Sequence, residues 1–422
     1  MNQQQKKKIH YAWILLIALS IMVGVGKNGI STAGGLFLTP VTQDLGIGMG
    51  SLTLYFSIAS IVTMIFLPIA GKLMAKYDIR LILIVSIILM AGSFAMFGFM
   101  SSVWGWYLFS IPMAIGSIFI TQMAGPVLIN NWFKKHNGLA IGIMVAIGGV
   151  LGAVIQPLVA NLIATQGWRF TYIALGIGVT AIIIPIVLLV IRMAPQQKGL
   201  QPLGMEEAGA SQNASAQQET LTGIAASVAK KSSAFFSLLA FFFIITSIAS
   251  FAQHIAPFAM GIGYDIKFAG SALGAMQIGV LIGALSFGVL SDKIGAKSTA
   301  VFAMLLGLVP VGIFLTVPEN PTLFTVAIGI FGFVISSLGT LGPLLTTALF
   351  GTKDYSQIYS TAAIGLALAG IVALPGYGFI KDITGSYTFV LYGLAGMFII
   401  NAVLVLLAFK GKKKLEKAGL WK

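Results

Sequence analysis

The chain contains no cysteine. That excludes disulfide bridges, thiolate metal sites and cysteine nucleophiles together. Charge is almost as scarce: 9% of the 422 residues are Asp, Glu, Lys or Arg, against roughly 25% in a soluble domain. No water-facing surface of this size can be built from so few charges, so the chain reads as an integral membrane protein. The three histidines, His10, His136 and His254, are far apart and show no ligand spacing, so no metal site is expected. Acidic residues number 11, and each falls in a loop, a tail or the end of an apolar run. No paired carboxylates, Ser-His-Asp set or phosphate loop are placed to act together. The chain is therefore not read as an enzyme, and no cofactor is expected.

Apolar sequence is what the chain has in abundance, at 58%. Runs long enough to cross a bilayer, about 20 residues each, stand at roughly 11–37, 50–73, 79–100, 103–129, 139–164 and 169–192, and again at 233–260, 268–291, 297–317, 321–348, 357–380 and 386–409. The pattern predicts an all-α membrane protein of twelve transmembrane helices in two six-helix bundles. The predicted division is residues 1–194, a cytoplasmic linker over 195–232, and residues 233–422. The linker segment "GMEEAGASQNASAQQET" has no apolar periodicity and reads as a flexible tether.

The net charge of +14 invites a nucleic-acid reading, but its distribution argues against one. Of the 25 Lys and Arg, 21 gather at the termini, in the linker and in alternate loops, while Arg169, Lys267 and Lys381 occupy the opposite side. This is the positive-inside pattern. It predicts a multi-pass protein of the cytoplasmic membrane with both termini cytoplasmic, bound by lipid and not by nucleic acid. Lys6, Lys7 and Lys8 precede a first run too long for a signal-peptide core, so that run is read as an uncleaved span. A monomer is expected.

An internal repeat relates the two halves. "GKLMAKYDIRL" (71–81) aligns without a gap to "GVLSDKIGAKS" (288–298). The second copy resembles the cytoplasmic loop motif of the major facilitator superfamily, with Gly288, Asp292, Lys293, Gly295 and Lys297 in the motif's places. An acid at a helix end can bond backbone amides across the loop, so these five residues read as a conformational latch. The first copy departs from the motif, with Ala75 in place of the Asp and Asp78 in place of the second Gly. "NNWFKKHNGLAIGI" (130–143), "LPGYGFIKDITGSY" (374–387) and "FAQHIAPFAMGIGYD" (251–265) are similar to segments of the monocarboxylate and oxalate–formate transporter branch. That resemblance implies transport of a small organic anion. Members of the branch often carry an arginine in the eighth helix that meets the substrate carboxylate. Here "SALGAMQIGVLIGALSFG" (271–288) holds no Lys or Arg, and Gln277 is its one strongly polar residue beyond serine.

"GVGKNG" (24–29) has the glycine spacing of a dinucleotide-binding turn, but it lies inside an apolar run with no strand before it. Its lysine matters more. Lys27 sits about 24 Å along a helix begun at Tyr11, near the bilayer midplane. A charge there costs several kcal/mol unless it meets water or a partner. No acid occupies a span interior, so Lys27 is deprotonated, reaches an interface, bonds helix carbonyls, or takes its counter-ion from solution. The last option implies an anionic substrate. Asn28 and Ser31 extend a polar face beside it.

His254 is the second ionisable group within a run. Its ordinary pKa near 6.5 suits proton exchange, although a neutral, hydrogen-bonded structural histidine is the alternative. Gln122, Gln253, Gln277, Tyr55 and Tyr377 complete the substrate-binding candidates, each with a competing role in interhelical bonding. The sequence thus points to a secondary transporter of a monocarboxylate-type anion, moved with protons by alternating access, with His254 as the proton-coupling group. Anion exchange is the nearest alternative. Export of cationic drugs lacks an intramembrane carboxylate, and a non-transporting nutrient sensor lacks a signalling domain.

Overall fold

Ten helical segments among the described residues are long and apolar enough to cross a bilayer. The structure, a computed structural model, describes residues 10–204 and 223–421. Lys6, Lys7, Lys8 and Lys422 lie outside the described residues, as does most of the polar linker (205–222). In chain order the segments are α1 (Tyr11–Leu45), α2 (Met49–Lys76), α3 (Ile79–Phe99), α4 (Val103–Trp132), α5 (Asn137–Leu189), α6 (Ser233–Gly261), α7 (Ile266–Thr316), α8 (Pro321–Phe350), α9 (Tyr355–Thr384) and α10 (Thr388–Lys417). No strand interrupts them among the described residues; two isolated bridges, Phe133 to Leu203 and Gly223 to Gly351, pin the described ends of the linker.

The twelve apolar runs map onto ten segments because α5 and α7 each hold two. At 53 and 51 residues, each would be about 80 Å long if straight, far beyond a hydrocarbon core of ~30 Å. Each breaks where a glycine leaves helical geometry: Gly167 at φ 81° and ψ 164°, and Gly295 at φ 80° and ψ 152°. A β-carbon disfavours that conformation. The second glycine of the loop motif is therefore the residue that lets the chain turn back.

The sparse acids serve helix ends. Asp78 accepts from the Arg80 amide at 2.7 Å to open α3, and Asp265 accepts from the Phe268 amide at 2.7 Å to open α7. The first copy of the loop repeat thus ends one helix at Lys76 and caps a new one at Asp78, where the second copy stays helical until Gly295.

Segments α1 to α5 pack chiefly among themselves, as do α6 to α10. Two antiparallel seams join the sets, α5 with α7 and α2 with α9. Along the first seam Gly270 lies against Ala160, Gly274 against Pro157 and Ala153, Gly152 against Gln277, and Gly149 against Leu281. Along the second, Gly378 lies against Gly50, while Ser57 and Ser60 donate to the carbonyls of Ile371 and Gly370. These contacts occupy the lysine-poor end and the middle of the molecule. Towards the lysine-rich end the α5–α7 seam opens: a β-carbon added to Gly138, Gly142 or Gly288 would meet nothing within 4 Å.

Candidate functional site

The middle of α1 departs from a regular helix. Residues Lys27–Thr32 form a wider π-type turn, a local insertion common at functional positions. Around it the glycines admit neighbouring helices: a β-carbon on Gly24 would fall 2.7 Å from the Leu151 side chain, and one on Gly29 3.1 Å from Val179. The nucleotide-like glycine spacing is therefore helix packing.

Asn28 is buried in a polar knot. Its Nδ2 donates to the carbonyls of Gly24 and Gly148, both at 2.9 Å, and its Oδ1 accepts from Gln277 Nε2. Gln156 Nε2 donates to the Asn28 carbonyl at 3.3 Å. The knot ties α1, α5 and α7, and so joins the two sets of helices near their middle. Gly152 makes room for it, since a β-carbon there would sit 2.5 Å from Gln277 Nε2. Both amide hydrogens of Asn28 are already spent on carbonyls, which suits a pivot.

Lys27 occupies another face. Lys27 opens the π-type turn, and Ile30 and Ser31, three and four residues further on, line a cavity of about 180 Å³. Its walls include Tyr55, Phe56 and Thr63 of α2, Phe94 of α3, Met113 and Ser117 of α4, and Gln253 of α6. The Lys27 side chain is exposed, and among the described residues it makes no hydrogen bond or ion pair. Tyr55 stacks on Phe56 with ring centroids 4.0 Å apart. Gln253 Nε2 donates to the Ser31 carbonyl at 3.0 Å, while its Oε1 is buried without a partner. Gln122 is exposed in a second π-type stretch, Ile118–Met123, about one turn past Ser117.

The structure thus gathers Tyr55 and Gln253 around one cavity, leaves Lys27 exposed outside its lining at the start of the same π-type turn, and places Asn28 and Gln277 in the polar knot. Tyr377 and His254 lie elsewhere. The Tyr377 hydroxyl donates to the Ser247 carbonyl at 2.8 Å, between α9 and α6. His254 is fully buried, with Nε2 2.9 Å from the Leu374 carbonyl and Nδ1 2.9 Å from the Tyr387 hydroxyl. A carbonyl only accepts, so Nε2 carries the hydrogen and Nδ1 accepts from the tyrosine hydroxyl. This neutral tautomer leaves neither nitrogen free. Neither residue reaches the cavity, because each is spent on bonds inside the second set of helices.

The acid of the loop motif is unengaged among the described residues. Asp292 and Lys293 are exposed, and Asp292 makes no hydrogen bond or ion pair among the described residues. Lys297 Nζ stands 5.9 Å from the centroid of the Phe409 ring. One residue outside the sequence-based candidates does bridge the two sets: Asp382, whose carboxylate accepts from the amides of Met49 and Gly50 at 2.9 and 2.7 Å. Its signal in the sequence is an acid beside the end of an apolar run, with the "GMGS" glycines far away opening another.

The profile of the Major Facilitator Superfamily matches residues 16–276 and 232–420. The MFS-type transporter YcxA of Bacillus subtilis (strain 168) is 23% identical, over 96% of this chain and 97% of that protein. Monocarboxylate transporter 12 of Mus musculus is 24% identical over 64% of this chain and 60% of its own. Among solved structures, a bacterial homologue of the human lysosomal transporter Spinster, inward-facing and unoccupied, superposes with a TM-score of 0.71 at 15% identity, covering 97% of this chain and 98% of that one.

Proposed function

This chain belongs to the Major Facilitator Superfamily, and on that premise we propose that it carries a small monocarboxylate-type anion across the cytoplasmic membrane by alternating access. The bundles of the cycle are residues 1–194 and 233–422, joined by the linker 195–232, in a monomer with both termini in the cytoplasm. With that orientation the lysine-rich end is cytoplasmic, and the state described above faces inward.

One observation carries the reading. Lys27 places its amine at mid-span of α1, in the π-type turn whose Ile30 and Ser31 line a cavity, with no acid in the interior of any apolar run and no partner among the described residues. An unpaired charge at that depth in a bilayer is costly, and an arriving carboxylate would lower that cost. Tyr55 and Gln253, which line the cavity, would orient the cargo with Gln122, about one turn beyond Ser117 of its wall, while Asn28 and Gln277 would hold the helices on which it sits. Lys27→Gln should lower uptake of labelled monocarboxylates into proteoliposomes by about a hundredfold, as truncating one partner of a hydrogen-bonded charge pair does, with protein level and melting temperature unchanged. Full transport by this variant removes the anion reading.

Proton symport is the first mode of coupling, through His254. To take up a proton at Nδ1, His254 must turn the Tyr387 hydroxyl from donor to acceptor, so protonation and the tie between α6 and the start of α10 are linked. Anion exchange is the second reading, favoured by the closed bonding of His254. Counterflow that persists without a pH gradient, together with an unchanged pH profile in His254→Gln, selects exchange.

The latch assigned to Gly288, Asp292, Lys293, Gly295 and Lys297 belongs to the other half of the cycle. Extending the α5–α7 register from Gly149 and Leu281 by two turns sets Gly142 level with Gly288. One further turn sets Gly138, in the first turn of α5, level with Asp292. Closure of the cytoplasmic end would bring the Asp292 carboxylate to the free amides there.

A further inference from the structure

We propose that Asp382 is the external latch of the transport cycle, a carboxylate that caps α2 from across the seam and must let go before the outer end can open. The carboxylate sits near the end of α9, yet it closes the N-terminus of a helix 333 residues away in sequence. Each oxygen takes one amide: Oδ1 that of Met49 at 2.9 Å, and Oδ2 that of Gly50 at 2.7 Å. These amides have no acceptor within their own helix, because the first turn of a helix leaves its N–H groups free. The anion also meets the positive end of the helix dipole. No capping side chain is supplied locally, since Gly48 holds the cap position of α2.

The surrounding backbone is shaped for this contact. A β-carbon on Gly48 would stand 2.8 Å from Asp382 Oδ2. One on Gly378 would stand 2.7 Å from both the Cα and the N of Gly50, and one on Gly50 would run into the Phe379 ring. Three glycines at one crossing thus bring two backbones close enough for a side chain of one set to cap a helix of the other. The bond is partly exposed, because Asp382 is reached by solvent while Met49 and Gly50 are buried. Water can therefore replace the carboxylate when the seam parts, which a reversible latch requires.

The inference rests on alternating access but not on the identity of the cargo, so its test uses none. The absence of native cysteine makes single thiols clean reporters. Thr53→Cys reports the outer seam, where the Thr53 hydroxyl would lie 2.8 Å from a β-carbon on Gly378. Gly142→Cys reports the open inner end. Each is labelled in proteoliposomes with a membrane-impermeant maleimide applied from its own side. Combining either reporter with Asp382→Ala should raise the labelling rate at position 53 about tenfold and lower it at position 142, in line with the loss of charged hydrogen bonds. Asp382→Asn, which keeps one acceptor and loses the charge, should fall between, and Asp382→Glu should restore much of the closed state. If the alanine variant fails to accumulate, Gly378→Ala wedges the same seam without touching the carboxylate and should move both reporters the same way. Unchanged rates at both positions in folded Asp382→Asn and Gly378→Ala proteins overturn the latch. Rates that shift as expected in a protein that moves no carboxylate uphold the latch and reject the anion reading.

Discussion

The two ends of the molecule are joined by the same kind of glycine-lined seam and behave oppositely. At the lysine-poor end α2 and α9 touch through glycines, and Asp382 caps α2 across the seam. At the lysine-rich end, α5 and α7 carry Gly142 and Gly288 in matching register with nothing against either, and Asp292 stands unbonded among the described residues. The difference teaches that the seam glycines are not generic membrane packing. Small residues are present both where backbones meet and where they stand apart, which is what a surface used in alternation needs. The sharpest way to break this comparison is to fill the open end. A β-carbon on Gly142 meets no atom in the present state, so Gly142→Leu should leave folding and thermal stability unchanged. Closure would then press an extra side chain into a packed seam, a penalty on the order of 1–3 kcal/mol. Uptake should fall about tenfold to a hundredfold, with position 53 becoming less reachable from outside. Normal uptake by this variant means that α5 and α7 never meet there.

How far the sequence exposes this arrangement varies with the distance over which each interaction acts. The apolar runs, the charge asymmetry and the isolation of Lys27 are countable along the chain, because hydropathy and charge act through the bilayer itself. The break at Gly295 is readable as a motif position, whereas that at Gly167 has no motif around it. Asp382 is hidden because caps are sought next to the helix they close, and this one closes a helix at the far end of the chain. Residue type and resemblance alone put Tyr377 and His254 at the site. Their partners, the carbonyls of Ser247 and Leu374 and the hydroxyl of Tyr387, carry no signature that spacing can reveal.

The middle of the molecule sharpens the comparison in a different way, since the Asn28–Gln277 bond joins the two sets of helices between the closed end and the open one. Gln277→Leu removes the donor and leaves Asn28 Oδ1 buried without a partner, at about 1–3 kcal/mol. A melting temperature lower by several degrees with an unchanged KM is expected if the knot is a pivot. A raised KM with unchanged stability moves Gln277 to the cargo instead. Asp292→Asn should have a smaller effect, because the latch proposed for it is not formed in this structure and one amide acceptor survives. Uptake should drop about threefold to tenfold. In the thiol reporters, labelling at position 142 should rise and labelling at position 53 should fall, the mirror of the shift expected at Asp382.

The smallest effect is expected where both ends are left alone. Tyr387→Phe deletes one hydroxyl and keeps the ring, which packs edge-on against Phe251 with centroids 6.1 Å apart and tilted on His254 at 5.6 Å. The lost bond to His254 Nδ1 is a neutral one, worth about 0.5–1.5 kcal/mol, and Nδ1 is then a buried acceptor without a donor. Stability should fall by about that amount. If His254 only braces α6 against α9, uptake stays within about twofold of the parent and its pH profile keeps its shape. If His254 carries the coupled proton, removing the hydroxyl that must turn when Nδ1 is protonated displaces the pH profile, while Lys27-dependent binding of the anion persists. Measuring the pH dependence of uptake beside that of counterflow in the same vesicles separates the two, because counterflow needs the binding site but no net proton movement.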